Sequence, residues 1–251
     1  MTAVPRLLVI ATTALLLGSV PVAAAGPAAR LSSLEMVAAP ALASAPALVT
    51  AAGFVSSTSA RDYPDGMLRD ERTAVAAVDG FWKRHFEEYF GKRYHSPLVV
   101  GGYLGGRGPT CDGLRPLPFN AFYCRPEDFL TWDQNLMGAG YRKIGRAWVY
   151  LIIAHEWGHA IQARLSRRMV SVAAELQADC LAGAELAGAQ RDHTLVGDSD
   201  DVEQIARGLT TISDVYPWTR RTDHGDAAQR ISAYRRGFAG DVPACLAASP
   251  G

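Results

Sequence analysis

The residues His155-Glu156-Trp157-Gly158-His159 lie inside a run that is otherwise apolar, from Ala147 through Leu151, Ile152, Ile153 and Ala154 to Ala160, Ile161 and Leu165. Burying two imidazoles and a carboxylate there is costly unless something coordinates them. This stretch therefore constrains the fold more than any other. A helix advances about 100° per residue, so positions four apart sit one turn apart on one face, where two imidazoles can share a metal ion. Glu156 falls beside that face, close enough to take a proton from an activated water without being a ligand. The bland alternative is a polar turn of an ordinary helix, and the apolar flanks argue against it.

A catalytic zinc normally takes three protein ligands and leaves one position open. Glu175 is the best third ligand downstream, because it opens Glu175-Leu176-Gln177-Ala178-Asp179, where Glu175 and Asp179 share a predicted helical face. Asp179 is then placed to accept the outer N–H of a ligating histidine and fix its tautomer. A solvated acidic stripe would look similar, but Leu176, Ala178, Leu181 and Ala182 surround the pair. His193 is the rival ligand, in a polar loop beside Asp192 and Thr194.

Apolar spacing predicts a helix over 74–90 closed by Gly91, and further helices at about 142–165, 171–189, 200–213 and 225–238. Strands are expected at 97–104, 120–124 and 129–132, between Pro and Gly clusters. A small N-terminal sheet followed by helices is an α+β order. Upstream, Arg6, the apolar run Leu7 to Leu17 and Ala23-Ala24-Ala25 after Pro21 read as a secretory signal peptide over residues 1–25. The alternative is a membrane anchor over residues 7–22, which Thr12, Thr13, Gly18 and Pro21 interrupt. Residues 26–60, rich in Ala, Pro and Ser, are expected to be a linker or pro-region, and residues 61–251 the domain proper.

Basic and acidic residues balance, 25 Lys+Arg against 25 Asp+Glu. Bulk electrostatics thus points to neither nucleic acid nor an anionic membrane as partner, unless the N-terminal segment is retained in a bilayer. The four cysteines, in a chain expected to be exported, show no CxxC spacing and are read as disulfides. Sequence order favours Cys111 with Cys124 and Cys180 with Cys245; a free, buried Cys180 is the alternative.

His155 to His159, then ELQADCLAG at 175–183, then His224-Gly225 with Gln229-Arg230 and Arg235-Arg236-Gly237-Phe238 resemble the putative neutral zinc metallopeptidase family of bacteria. Phe81-Trp82, Phe90-Gly91-Lys92 and Phe122-Tyr123-Cys124 resemble it too, and the likeness covers residues 69 to 246. Two departures stand out: only 15 residues separate His159 from Glu175, and the family's Cys-Pro pair reads Cys124-Arg125-Pro126. The resemblance implies a zincin-like peptidase with His155, His159 and Glu175 on Zn2+ and Glu156 as catalytic acid/base. The expectation is a secreted or extracytoplasmic enzyme acting on peptides or proteins. An inactive zinc-containing module that captures peptides or proteins is the alternative. Zincins commonly add a second hydrogen-bond donor for the developing oxyanion, and His224 is assigned that role, with Tyr216 and Arg230 as alternatives.

Overall fold

The computed structural model describes Pro64 and residues 66–165, 171–214 and 224–246. The expected signal peptide, the 26–60 segment and Tyr216 lie outside these. The first helix, α1 (Met67–Phe90), buries Ala74, Ala77, Val78, Phe81, Trp82 and Phe86 on one face. As predicted, it ends at Gly91, whose left-handed backbone (φ 61°) lets its N–H reach the Glu87 carbonyl at 2.8 Å. It starts seven residues earlier than apolar spacing predicts. That first stretch is held by polar contacts: Asp70 accepts from Tyr141 at 2.8 Å and from Tyr150 at 3.1 Å, and Glu71 accepts from Gln134 at 3.1 Å.

Three strands follow close to their predicted bounds, β1 (Leu98–Tyr103), β2 (Ala121–Cys124) and β3 (Phe129–Asp133). They form one sheet in the order β1-β3-β2, with β3 parallel to β1 and antiparallel to β2. All of β3 is buried, as befits a central strand, whereas β2 is a four-residue edge with three half-buried positions.

The predicted helix over 142–165 is present from Ala147, and a further helix precedes it. α2 (Gln134–Lys143) starts at Asp133, whose side chain accepts the Asn135 N–H at 2.9 Å, and α3 (Ala147–Arg164) follows after Gly145 at φ 127°. The glycines that lower the helix propensity of Gly138-Ala139-Gly140 hid α2 from sequence reading. Gly140 is there for contact: a β-carbon on it would strike the Trp148 indole. α4 (Ser171–Arg191), α5 (Asp201–Thr211) and α6 (Ala227–Leu246) complete the fold, which is α+β in the expected order. α6 runs past its predicted end, through a break at Asp241 (φ 62°), and so carries Cys245 back to α4.

Nearly every residue of α3 from Ala147 to Gln162 is buried, because α1, α2, α4, α5 and β2 all pack around it. Such a helix lacks the polar face of a surface helix. Gly158 sets how close α4 comes: a β-carbon there would lie 2.9 Å from the Cα and carbonyl oxygen of Ala178. That approach brings Glu175 and Asp179 over the two histidines. Among the described residues no helix is long and apolar enough to cross a membrane.

Candidate metal centre

One turn of α3 separates His155 from His159, whose rings stand nearly perpendicular (88°) with centroids 4.8 Å apart. From α4, Glu175 reaches both, with one carboxylate oxygen 3.2 Å from His155 Nε2 and the other 3.4 Å from His159 Nε2. A tetrahedral zinc with bonds of 2.0–2.1 Å holds its ligand atoms about 3.3 Å apart. Each imidazole thus stands near that spacing from one carboxylate oxygen, and the ligand atoms of all three side chains lie within 4.8 Å of one another.

Hydrogen bonds on the far side of each ring say what lies between them. His155 Nδ1 is 2.9 Å from Asp179 Oδ1, and His159 Nδ1 is 3.0 Å from Gln162 Oε1. The Gln162 amide is oriented by its own Nε2, which donates to the Ala174 carbonyl at 2.6 Å, leaving Oε1 to accept from the histidine. With a metal ion bound, each ring would keep its hydrogen on Nδ1 and turn its Nε2 lone pair toward the ion. Two imidazole nitrogens and a carboxylate facing one another call for a positive charge in the middle.

The titration behaviour describes the same demand. Burial pulls His155 down, but its hydrogen bonds to Asp179 and Glu175 outweigh that and push it up to about 10. Burial would raise Glu175, yet the two imidazoles hold it well below the usual carboxylate range. A proton bound this tightly occupies the place in which the donor set suits a divalent ion: two imidazole nitrogens and one carboxylate, borderline ligands suited to zinc.

Asp179 is fully buried and does not stand alone. Arg230 of α6, itself 2% exposed, donates to both its oxygens at 2.8 Å and to the Ile212 carbonyl at 2.8 Å. Burial would raise the Asp179 carboxyl, but Arg230 and His155 hold it below its ordinary value. Of the residues weighed as oxyanion donors, Arg230 thus spends its guanidinium on Asp179 and Ile212. Sequence reasoning missed its pairing with Asp179 and missed Gln162 altogether. Only the Gln229-Arg230 signature pointed at the first; nothing singled out the second, a glutamine three residues beyond a histidine.

Glu156 stands beside the converging set rather than in it. It is 8% exposed, and one carboxylate oxygen accepts the backbone N–H of Tyr123 on β2 at 2.9 Å. His224 lies at the entrance of α6, with its N–H on Asp214 at 2.5 Å and its half-exposed ring 3.6 Å from the same carboxylate. No described contact joins it to the other four. His193, the rival ligand, lies past the far end of α4, exposed, on an apolar groove of about 660 Å³ beside α5 and α6. Both expected cysteine pairs are bonded, Cys111 to Cys124 and Cys180 to Cys245, and no cysteine is free. The neighbouring cluster of Cys111, Cys124 and Glu127 therefore offers no thiolate to a metal.

Comparison with known proteins gives a consistent picture. Residues 42–247 match the family described as "Putative neutral zinc metallopeptidase". "Uncharacterized protein YpfJ" of Escherichia coli (strain K12) is 27% identical over 222 residues, covering 76% of this chain and 74% of that protein. The protein of the same name from Escherichia coli O6:H1 (strain CFT073) matches to the same extent. No solved structure matches the chain.

Proposed function

This chain belongs to the putative neutral zinc metallopeptidase family, which implies a Zn2+ cofactor, and from that premise we propose that it is an exported, zincin-like hydrolase of peptide bonds. The convergence of His155, His159 and Glu175, with Asp179 and Gln162 behind the two rings, carries the proposal. These three would hold the ion; their imidazoles are oriented by Asp179 and Gln162, and Asp179 by Arg230. When bound, zinc supplies a Lewis acid that lowers the pKa of a water molecule to about 7 and polarises a carbonyl.

Glu156 does the proton work. Its carboxylate is free of the ligand set and one helical position from His155, so it can accept a proton from the attacking water and deliver it to the departing amine. His224 enters the reading as the donor to the developing oxyanion. Substrate would lie along β2. Tyr123 pairs with Leu130 but sends its N–H away from β3, to Glu156, so the outward edge of β2 lies beside that carboxylate, with the Tyr123 N–H already taken by it. An extended peptide can add to such an edge through its main chain, beside the residue that moves the proton. Two disulfides support export, since they persist in oxidising compartments; residues 1–25 would be the signal and 26–60 the linker or pro-region.

The test is a chelator-sensitive digest of a peptide library by wild type and by Glu156→Gln. The variant should keep about one zinc per chain and lose hydrolysis by several orders of magnitude. In the same assay His224→Ala should keep its zinc and lower kcat roughly 100-fold. Full activity in Glu156→Gln would sink the mechanism.

A further inference from the structure

Tyr123 is tied to α3 at both of its ends. Its backbone N–H is bound by Glu156 at 2.9 Å, and its hydroxyl donates to Asp128 Oδ1 at 2.7 Å. Asp128 in turn receives Arg164 Nη2 at 3.0 Å on each oxygen. Arg164 lies back on α3, eight residues after Glu156 and thus about 12 Å further along the axis. Its side chain is 4% exposed and fixed by two more acceptors, the carbonyls of His95 at 2.8 Å and Ala160 at 2.7 Å. Asp128 holds its place with a left-handed backbone (φ 52°), a conformation that Asp adopts more readily than most residues.

We infer that Arg164, Asp128 and Tyr123 form a clamp that positions the Glu156 carboxylate for proton transfer, an inference that rests on the peptidase reading above. β2 is four residues long and paired on one side only, so β3 alone leaves it free to pivot. Proton transfer requires heavy atoms within about 2.6–3.2 Å, and a misplacement of about 1 Å can cost 100-fold. By fixing the tyrosyl hydroxyl over the far end of α3, the clamp fixes where the N–H of the same residue meets Glu156. Its outer member, Asp128, is 37% exposed. Arg164, though buried, keeps the carbonyls of His95 and Ala160 without it, so the consequence of losing Asp128 falls mainly on the geometry of the site. The three are positioning residues: none touches the ligand set.

Tyr123→Phe removes only the hydroxyl. In the zinc-loaded, full-length protein it should leave zinc content and thermal midpoint near wild type, lower kcat roughly 10-fold and change KM less than about threefold. A readout independent of turnover is hydrogen exchange at the residue 123 amide, whose one partner is Glu156. Exchange there should quicken strongly in Glu156→Ala and roughly 10-fold in Tyr123→Phe. Asp128→Asn, which still accepts from the hydroxyl and suits a left-handed backbone, should retain more activity than Asp128→Ala. Hydrolysis that needs Glu156 but is indifferent to Tyr123→Phe, with exchange at residue 123 unchanged, overturns the clamp and leaves the peptidase reading standing. Faster exchange in Tyr123→Phe, in a protein that hydrolyses no peptide, overturns the peptidase reading and supports the clamp.

Discussion

On the helical side of the centre, the groups behind the metal-facing atoms are buried and answered by charge: His155 by Asp179, and Asp179 by a doubly bonded Arg230. On the strand side, Glu156 is held by one backbone N–H, and the strand behind it by a half-exposed carboxylate. The difference follows from the solvent. A buried charge cannot be left without its partner, so the helical side is part of the fold itself. On the strand side Asp128 is partly exposed and the buried Arg164 keeps the carbonyls of His95 and Ala160 when Asp128 is changed, so the cost falls more on chemistry than on the fold.

The largest effect expected is therefore at Arg230. Arg230→Ala strands the Asp179 carboxylate in a dry interior, which should cost about 3–5 kcal/mol of stability and weaken zinc binding roughly 10- to 100-fold through His155. Asp128→Ala on the strand side should cost about 1 kcal/mol or less. Chemical denaturation and zinc titration of the two variants side by side would break the comparison if the costs came out equal.

The two disulfides sharpen it, since one lies on each side. Cys180–Cys245 closes a 65-residue separation and Cys111–Cys124 one of 13. Loop entropy puts their contributions at about 4 and about 3 kcal/mol. Replacing both members of the first with Ala should lower the thermal midpoint more and loosen zinc, because Cys180 adjoins Asp179. The same change in the second should leave zinc affinity intact and lower kcat by freeing the loop that leads into β2.

Much of the helical side was readable in the sequence because its chemistry follows helical spacing. His155, His159, Glu175 and Asp179 sit four apart in pairs, amid apolar neighbours, and the structure brings all four together. Gln162 and the pairing of Arg230 with Asp179 escaped, because the first follows an ordinary spacing and the second forms only when α6 crosses α4. The strand side was far less readable. The atom that holds Glu156 is a backbone N–H, which every residue but proline carries, so no side-chain pattern could announce it. The opening of α1 and the whole of α2 escaped for a related reason: polar contacts of Asp70 and Glu71, and glycine packing at Gly140, leave no apolar period.

A pH-dependent effect concerns Glu71, buried on α1. Burial pushes its carboxyl up to about 7, against the opposing hydrogen bond from Gln134. The folded protein thus binds this proton more tightly than the unfolded chain, whose glutamate titrates near 4.5. The stabilisation is complete below that value, is lost as pH rises to about 7, and changes no further above it. Glu71→Gln should remove this dependence and raise the midpoint at pH 8 by roughly 1–3 kcal/mol equivalent. Parallel melting curves of wild type and variant from pH 4 to 8 would contradict the assignment.

Zinc stoichiometry and affinity in wild type, His155→Ala, Glu175→Ala and His193→Ala test the central claim most directly. One tightly held zinc per chain in wild type and in His193→Ala, with tight binding lost in the other two, is the predicted result. A Glu175→Ala protein that binds zinc as tightly as wild type, or a wild type that takes up none, would contradict it.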